Sequence, residues 1–198
     1  KVIEVKTGKV FYEQALPPDM MPLLYQRSHE AGLTILSYNG KYILTENKED
    51  KYVKYESFLT KMKVKETDNF LRDLQLPADK CLIVGEPEDL VPLEEGFRQE
   101  VGARINVYRS EAFYLEVVPK GIDKAASLAR LLERVRIKKE EVIAIGDGYN
   151  DLTMIQFAGL GVAMANAQPP VKANADQVTR YTNDEDGVAH FIDDLMKA

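Results

Sequence analysis

The stretch Gly146-Asp147-Gly148-Tyr149-Asn150-Asp151 sets two carboxylates and a carboxamide among glycines, with Asn150 and Asp151 three and four residues beyond Asp147. On a first helical turn, that spacing brings all three polar groups to one side. Two carboxylates and an amide beside flexible backbone form the donor set expected of a magnesium and phosphate site. An ordinary helix cap would account for one polar residue. It leaves the flanking glycines and the second carboxylate unexplained.

The elements around this stretch explain its position. Val142, Ile143, Ala144 and Ile145 form an unbroken apolar run, which reads as a strand buried on both faces in a parallel sheet. Residues 152–158 read as a helix. Asp147 therefore stands on a strand-to-helix turn at the carboxyl end of a strand, the edge at which open α/β sheets bind ligands. From Pro119 onward the pattern is regular: helix 123–135, strand 142–145, helix, strand 161–164, short helix 169–175, strand 177–179 and helix 187–196. Such alternation predicts a parallel sheet with crossover helices.

The preceding residues read differently. Residues 2–5 and 9–12 flank Lys6-Thr7-Gly8 as a hairpin. A helix opens at Pro17-Pro18 and closes at Gly32. Strands 33–38 and 42–45 meet at Asn39-Gly40, a strong hairpin signal. Helices are expected over 52–62, 67–74 and 87–101, and strands over 80–84, 105–108 and 112–118. This is an α+β module with helices on one face of its sheet. The boundary between the two patterns falls at residues 118–121.

Other candidate sites are weaker. Asn183-Asp184-Glu185-Asp186-Gly187 is acidic, but its frame lacks the spacing of a calcium loop, and it reads as a solvated turn before a helix. Gly159-Leu160-Gly161 begins a dinucleotide-type loop, yet Met164 occupies the third glycine position. His29 and His190 are far apart and read as structural or surface residues. With 26 basic against 32 acidic residues, the formal charge is −6, which argues against a broad nucleic-acid surface. No apolar run reaches the length of a membrane span, and no secretory signal is visible. The single cysteine, Cys81, lies in an apolar run and excludes a disulfide framework within the chain. A cytoplasmic location is expected.

Three blocks together carry a family resemblance: Pro119-Lys-Gly-Ile-Asp-Lys124, Gly146-Asp-Gly-Tyr-Asn-Asp151, and Gly161-Val-Ala-Met-Ala-Asn166 with Asp186-Gly-Val188. Their order and spacing resemble the haloacid dehalogenase superfamily and, within it, the Cof-type phosphatases. The resemblance spans essentially the whole chain. It implies a Rossmann-like α/β core with an inserted α+β cap, here residues 17–117, with 1–16 a hairpin leading from the core and 118–198 the C-terminal half of the core. It also implies magnesium-dependent hydrolysis of small phosphorylated metabolites, such as sugar phosphates, through an aspartyl-phosphate. By position, Asp147 resembles the carboxylate that binds Mg2+, and Asp151 its helper near the metal. Asn150 resembles the amide that contacts phosphate, and Lys124 the lysine that holds the phosphoryl group. Lys120 is the neighbouring candidate, and the Gly-Ile-Asp-Lys frame favours Lys124. The resemblance gives the cap the choice of substrate. Aromatic residues such as Tyr108, Phe113 and Tyr114 are read as core.

One departure matters. The family's Asp-x-Asp-Gly-Thr nucleophile motif is absent from these 198 residues, as is the Ser or Thr that binds phosphate. Neither Asp68-Asn69 nor Asp186-Gly187 follows an apolar first strand, so neither replaces it. The expectation is a chain holding the cap and the second half of the core, inactive alone, with a missing N-terminal core segment as its partner. A non-catalytic binding or regulatory module of the same fold and a phosphosugar mutase are the competing readings.

Overall fold

A computed structural model describes residues 1–197. The chain forms two compact units, Lys1–Ile122 and Asp123–Ala198.

In the first unit, β1 (Val2–Ile3) and β2 (Val10–Tyr12) pair antiparallel. Then follow α1 (Met20–Glu30), β3 (Thr34–Asn39), β4 (Tyr42–Thr45), α2 (Lys51–Thr60), β5 (Lys63–Glu66), α3 (Phe70–Asp73), β6 (Cys81–Val84), α4 (Pro87–Val101), β7 (Ile105–Glu111) and β8 (Tyr114–Pro119). Six of these strands form one sheet in the order β5-β4-β3-β6-β8-β7. Only β4 and β5 run parallel; the other neighbours are antiparallel. Asn39 and Gly40 make the β3–β4 turn, with Gly40 at φ +59°, a conformation glycine adopts at little cost.

Alternation along the strands gives the sheet two apolar faces. Ile35, Leu44, Cys81, Ile83, Leu115 and Val117 join Met20, Leu24, Phe70, Leu90 and Phe97 of α1, α3 and α4 in one core. Leu36, Ile43, Leu82, Val84 and Tyr114 face the other way and pack with Val53 of α2. Helices therefore cover both faces, not one as the sequence pattern implied. Asp50 fixes the start of α2 by accepting from Tyr52 N at 2.8 Å and Val53 N at 3.3 Å.

Two further differences have local causes. The expected helix over 67–74 shrinks to the single turn α3. Thr67 N donates to Thr45 O at 2.9 Å, which holds Thr67 to the sheet, and Asn69 caps the turn by accepting from Arg72 N at 2.9 Å. Strand β5 has no counterpart in the sequence reading. Its Lys-Val-Lys-Glu is charged, as suits a sheet edge, and backbone pairing with β4 decides its conformation.

Cys81 is fully buried in the centre of this sheet, and burial pushes its thiol well above the ordinary range. The thiolate is the reactive species. Iodoacetamide at pH 8 is expected to leave Cys81 unlabelled in the native protein and to modify it completely in denaturant. Native labelling at the rate of a free thiol would contradict this burial.

The second unit contains α5 (Lys124–Val135), β9 (Ile143–Gly146), a 3-10 turn (Tyr149–Asp151), α6 (Leu152–Phe157), β10 (Leu160–Ala163), α7 (Pro169–Ala173), β11 (Gln177–Val178), a second 3-10 turn (Asn183–Glu185) and α8 (Gly187–Lys197). Its three strands are parallel in the order β11-β10-β9, with Ala163 opposite Gly146. Helix α6 rides directly on β10: a Cβ on Gly161 would lie 2.2 Å from the Ile155 carbonyl oxygen. Ile155, Ala163, Met164, Ala167 and Val171 form the local core. β9 is an edge strand and its Ile143 is 41% exposed, so the strand is not buried on both faces as its apolar run implied. Ala144 alone of its first three residues is fully buried.

Candidate active site

The site is assembled from the carboxyl ends of β9 and β10 and the start of α5. Asp123 ends the chain leading into α5 and caps it, accepting from Ala126 N at 2.7 Å. That cap makes Lys124 the first residue of the helix. Its ammonium pairs with Asp151 Oδ1. The lysine side chain is 46% exposed and the aspartate 7%, so a part-exposed lysine pairs with a buried counter-charge.

Asp151 closes the turn that follows β9. Its other oxygen, Oδ2, accepts from Asp147 N at 3.0 Å and Gly148 N at 3.1 Å. One buried carboxylate thus neutralises a lysine and satisfies two backbone donors that no sheet ladder uses. The glycines make this possible. A Cβ on Gly146 would stand 2.4 Å from Asp151 Cβ, and one on Gly148 would stand 2.8 Å from Asn150 Oδ1. Both contacts are closer than real Cβ atoms allow, so the aspartate packs where a side chain at 146 would go.

Asp147 is half-buried. Its backbone is held from two sides, the N–H by Asp151 and the carbonyl by Gln168 N at 3.0 Å. Asn166 Nδ2 donates to its Oδ2 at 3.1 Å. Among the described residues no donor reaches Oδ1. Asn150 lies over Gly148 and makes no hydrogen bond to Lys124, Asp147 or Asp151. Lys124, Asp147 and Asp151 are therefore brought together, and Asn150 stands beside them on the same turn.

The donor set bears on a divalent cation. Among the described residues no three His, Cys, Asp or Glu side chains gather at one point. Asp147 offers one carboxylate oxygen free of protein donors, whereas both oxygens of Asp151 are engaged. Mg2+ retains several waters and commonly takes one or two carboxylates together with phosphate oxygens. Asp147 fits that role as one ligand of a set completed by other groups.

Asn166 had no assigned role in the sequence reading, although it ends the block that begins at Gly161. The signal was present: it follows β10, the strand parallel to and beside β9, so it stands at the same ligand-binding edge as Asp147. His29 and His190 lie elsewhere, each against a tyrosine ring, Tyr25 at 5.8 Å and Tyr181 at 4.6 Å between centroids. The acidic segment after Thr182 is the second 3-10 turn and leads into α8.

A family model described as haloacid dehalogenase-like hydrolase matches residues 1–192. The Bacillus subtilis protein YxeH is 33% identical over 195 residues, covering 97% of this chain and 71% of the relative. The 5-amino-6-(5-phospho-D-ribitylamino)uracil phosphatase YitU of the same organism is 32% identical over 189 residues, covering 91% of this chain and 67% of its own length. A crystal structure of a haloacid dehalogenase-like hydrolase from Bacteroides thetaiotaomicron superposes with a TM-score of 0.90 at 52% identity, covering 98% of this chain and 72% of that one. With the family model spanning nearly the full sequence and both units matched in a solved relative, the chain belongs to the haloacid dehalogenase-like hydrolases, among their phosphatases.

Proposed function

We propose that this chain serves magnesium-dependent hydrolysis of small phosphorylated metabolites, sugar phosphates among them, through an aspartyl-phosphate whose acceptor carboxylate lies outside these 198 residues. The observation that carries this reading is the Lys124–Asp151–Asp147 arrangement at the carboxyl edge of a parallel sheet. Lysine is a compact cation suited to the oxygens of a transferring phosphoryl group. Lys124 binds and orients those oxygens, and Asp151 holds the lysine in place from below. Asp147 gives its free oxygen to the cation. Mg2+, when bound, offsets charge on the phosphoryl oxygens. Asp151 serves the metal at second hand, by fixing the Asp147 backbone and the lysine, and Asn150 is assigned to the phosphate. Residues 17–117 are assigned the choice of substrate, as a cap, and residues 1–16 and 118–198 belong to the core.

The sheet edge supports a further part of this reading. Among the described residues strand β9 has no neighbour on its outer side, and its Ile143 is 41% exposed. A free parallel edge that exposes an apolar residue is a pairing surface. We assign it to a core strand that carries the acceptor aspartate. No helix among the described residues is long and apolar enough to cross a membrane, and the site is read as acting on small phosphorylated molecules rather than nucleic acid.

The lack of an Asp-x-Asp-Gly-Thr motif favours a second reading for the 198 residues by themselves, a binding module without turnover. One experiment separates the two. Phosphate release from a panel of sugar and nucleotide phosphates is measured with Mg2+ and with EDTA. The 198-residue chain is compared with a form extended by the coding sequence upstream of Lys1. Turnover dependent on Mg2+ is expected from the extended form alone. Robust turnover by the 198 residues would overturn the external acceptor, and an inert extended form would favour the binding module.

A further inference from the structure

Asn166 is joined at both ends. Its Nδ2 donates to Asp147 Oδ2 at 3.1 Å, and its Oδ1 accepts from Asn183 N at 3.0 Å. A carboxamide has one donating and one accepting end. Turned over, it would set its oxygen against the Asp147 carboxylate and its NH2 against the Asn183 N–H, which are two repulsive contacts. The backbone donor of Asn183 therefore selects the orientation in which Asn166 can donate to Asp147.

Both anchors of this link are themselves held. Ala165 N donates to Thr179 Oγ1 at 2.8 Å, and that buried hydroxyl donates to Tyr181 O at 2.7 Å. The residue before Asn166 is thereby tied to the segment leading to the Asn183 turn. The turn is closed by Glu185, whose Oε2 accepts from Thr182 N at 3.0 Å and Thr182 Oγ1 at 2.8 Å. These bonds hold the Glu185 carboxyl below its usual range. Gly187 N returns to Thr182 O at 2.9 Å, and a Cβ on Gly187 would lie 2.3 Å from Tyr181 O. The turn is thus a built support and not a loose connection.

We propose that Asn166 is a positioning residue for Asp147, and that the Asn183–Glu185 turn acts on the cation site through it. By occupying Oδ2, Asn166 fixes the rotation of the carboxylate and presents Oδ1 to the cation. This inference rests on the reading of Asp147 as a metal ligand. Partners that orient a ligating carboxylate typically contribute about 10- to 100-fold in metal affinity.

The test uses Mn2+ as the probe, titrated into the N-terminally extended protein and followed by paramagnetic broadening of the backbone amide signals of residues 146–150. Asn166→Ala is expected to raise the Mn2+ midpoint about tenfold. Asn183→Pro keeps Asn166 and removes only the N–H that selects its orientation. Proline is tolerated at the first position of a helical turn, and Thr182 already has the extended conformation, φ −77° and ψ 174°, that precedes proline. This variant is expected to shift the midpoint in the same direction by a smaller factor. Thermal melts run alongside separate the two effects, because a purely structural role lowers the melting temperature without moving the midpoint. An unchanged midpoint in Asn166→Ala overturns the proposal when Asp147→Asn abolishes the broadening. If Asp147→Asn also leaves the broadening intact, the metal reading of Asp147 fails and the positioning role fails with it.

Discussion

Asp151→Ala is expected to destabilise the unit from Asp123 onward by about 2–4 kcal/mol. The replacement removes three interactions at once: the Lys124 pair and the acceptor for the N–H groups of Asp147 and Gly148. Each backbone donor left without a partner costs about 1 kcal/mol where water reaches it only partly. The lysine loses less than a buried partner would, because nearly half of its side chain already meets solvent. Lys124→Ala makes the converse cut and leaves a buried carboxylate held only by the two amides. A double-mutant cycle in urea is expected to give a coupling of about 1–3 kcal/mol between positions 124 and 151. Strict additivity would mean that the pair seen here contributes nothing and that Lys124 is free to move.

Much of this site is legible in the sequence, and the reason is geometric. An apolar run ending in Gly-Asp-Gly and followed by Asn and Asp fixes a strand, a tight turn and a helix start, and these alone deliver Asp147 to the sheet edge. The parallel β9–β10–β11 order follows from the strand–helix rhythm in the same way. What the sequence conceals is where each polar atom finds its partner. Spacing groups Asp151 with Asp147 as though both faced a ligand. The close packing at Gly146 instead turns Asp151 inward, onto two amides and a lysine 27 positions earlier. Asn166 is hidden for a related reason, since its contact with Asp147 spans 19 residues and depends on the register of β10 against β9. The failures in the first unit are of a different kind. Strand β5 is charged, and the helix around Phe70 has a sound pattern; both are decided by backbone bonds to β4, which no local periodicity reports.

Asp147→Asn in the N-terminally extended protein is expected to lower phosphatase turnover about a thousandfold, with the fold intact. The substitution is close to isosteric and keeps the Asp147 N–H bond to Asp151 and the bond its carbonyl accepts from Gln168, neither of which involves the Asp147 side chain. It removes the charge from the one carboxylate oxygen that no described donor engages. A neutral amide oxygen is a weaker ligand for a hard cation than a carboxylate, so saturation with Mg2+ shifts to higher concentration and excess Mg2+ restores part of the rate. It also alters the demand on Asn166, whose NH2 then meets an amide that can present its own NH2. The contrast with Asp151→Ala is the informative part. If Asp147 acts on the cation and Asp151 acts on the scaffold, the first variant loses turnover and keeps its denaturation midpoint. The second loses stability, and the Lys124 side chain loses its anchor. Measured together, kcat against Mg2+ concentration and the urea midpoint separate the two carboxylates. An unchanged rate with unchanged Mg2+ dependence in Asp147→Asn would remove Asp147 from the metal site and, with it, the chemistry assigned to this turn.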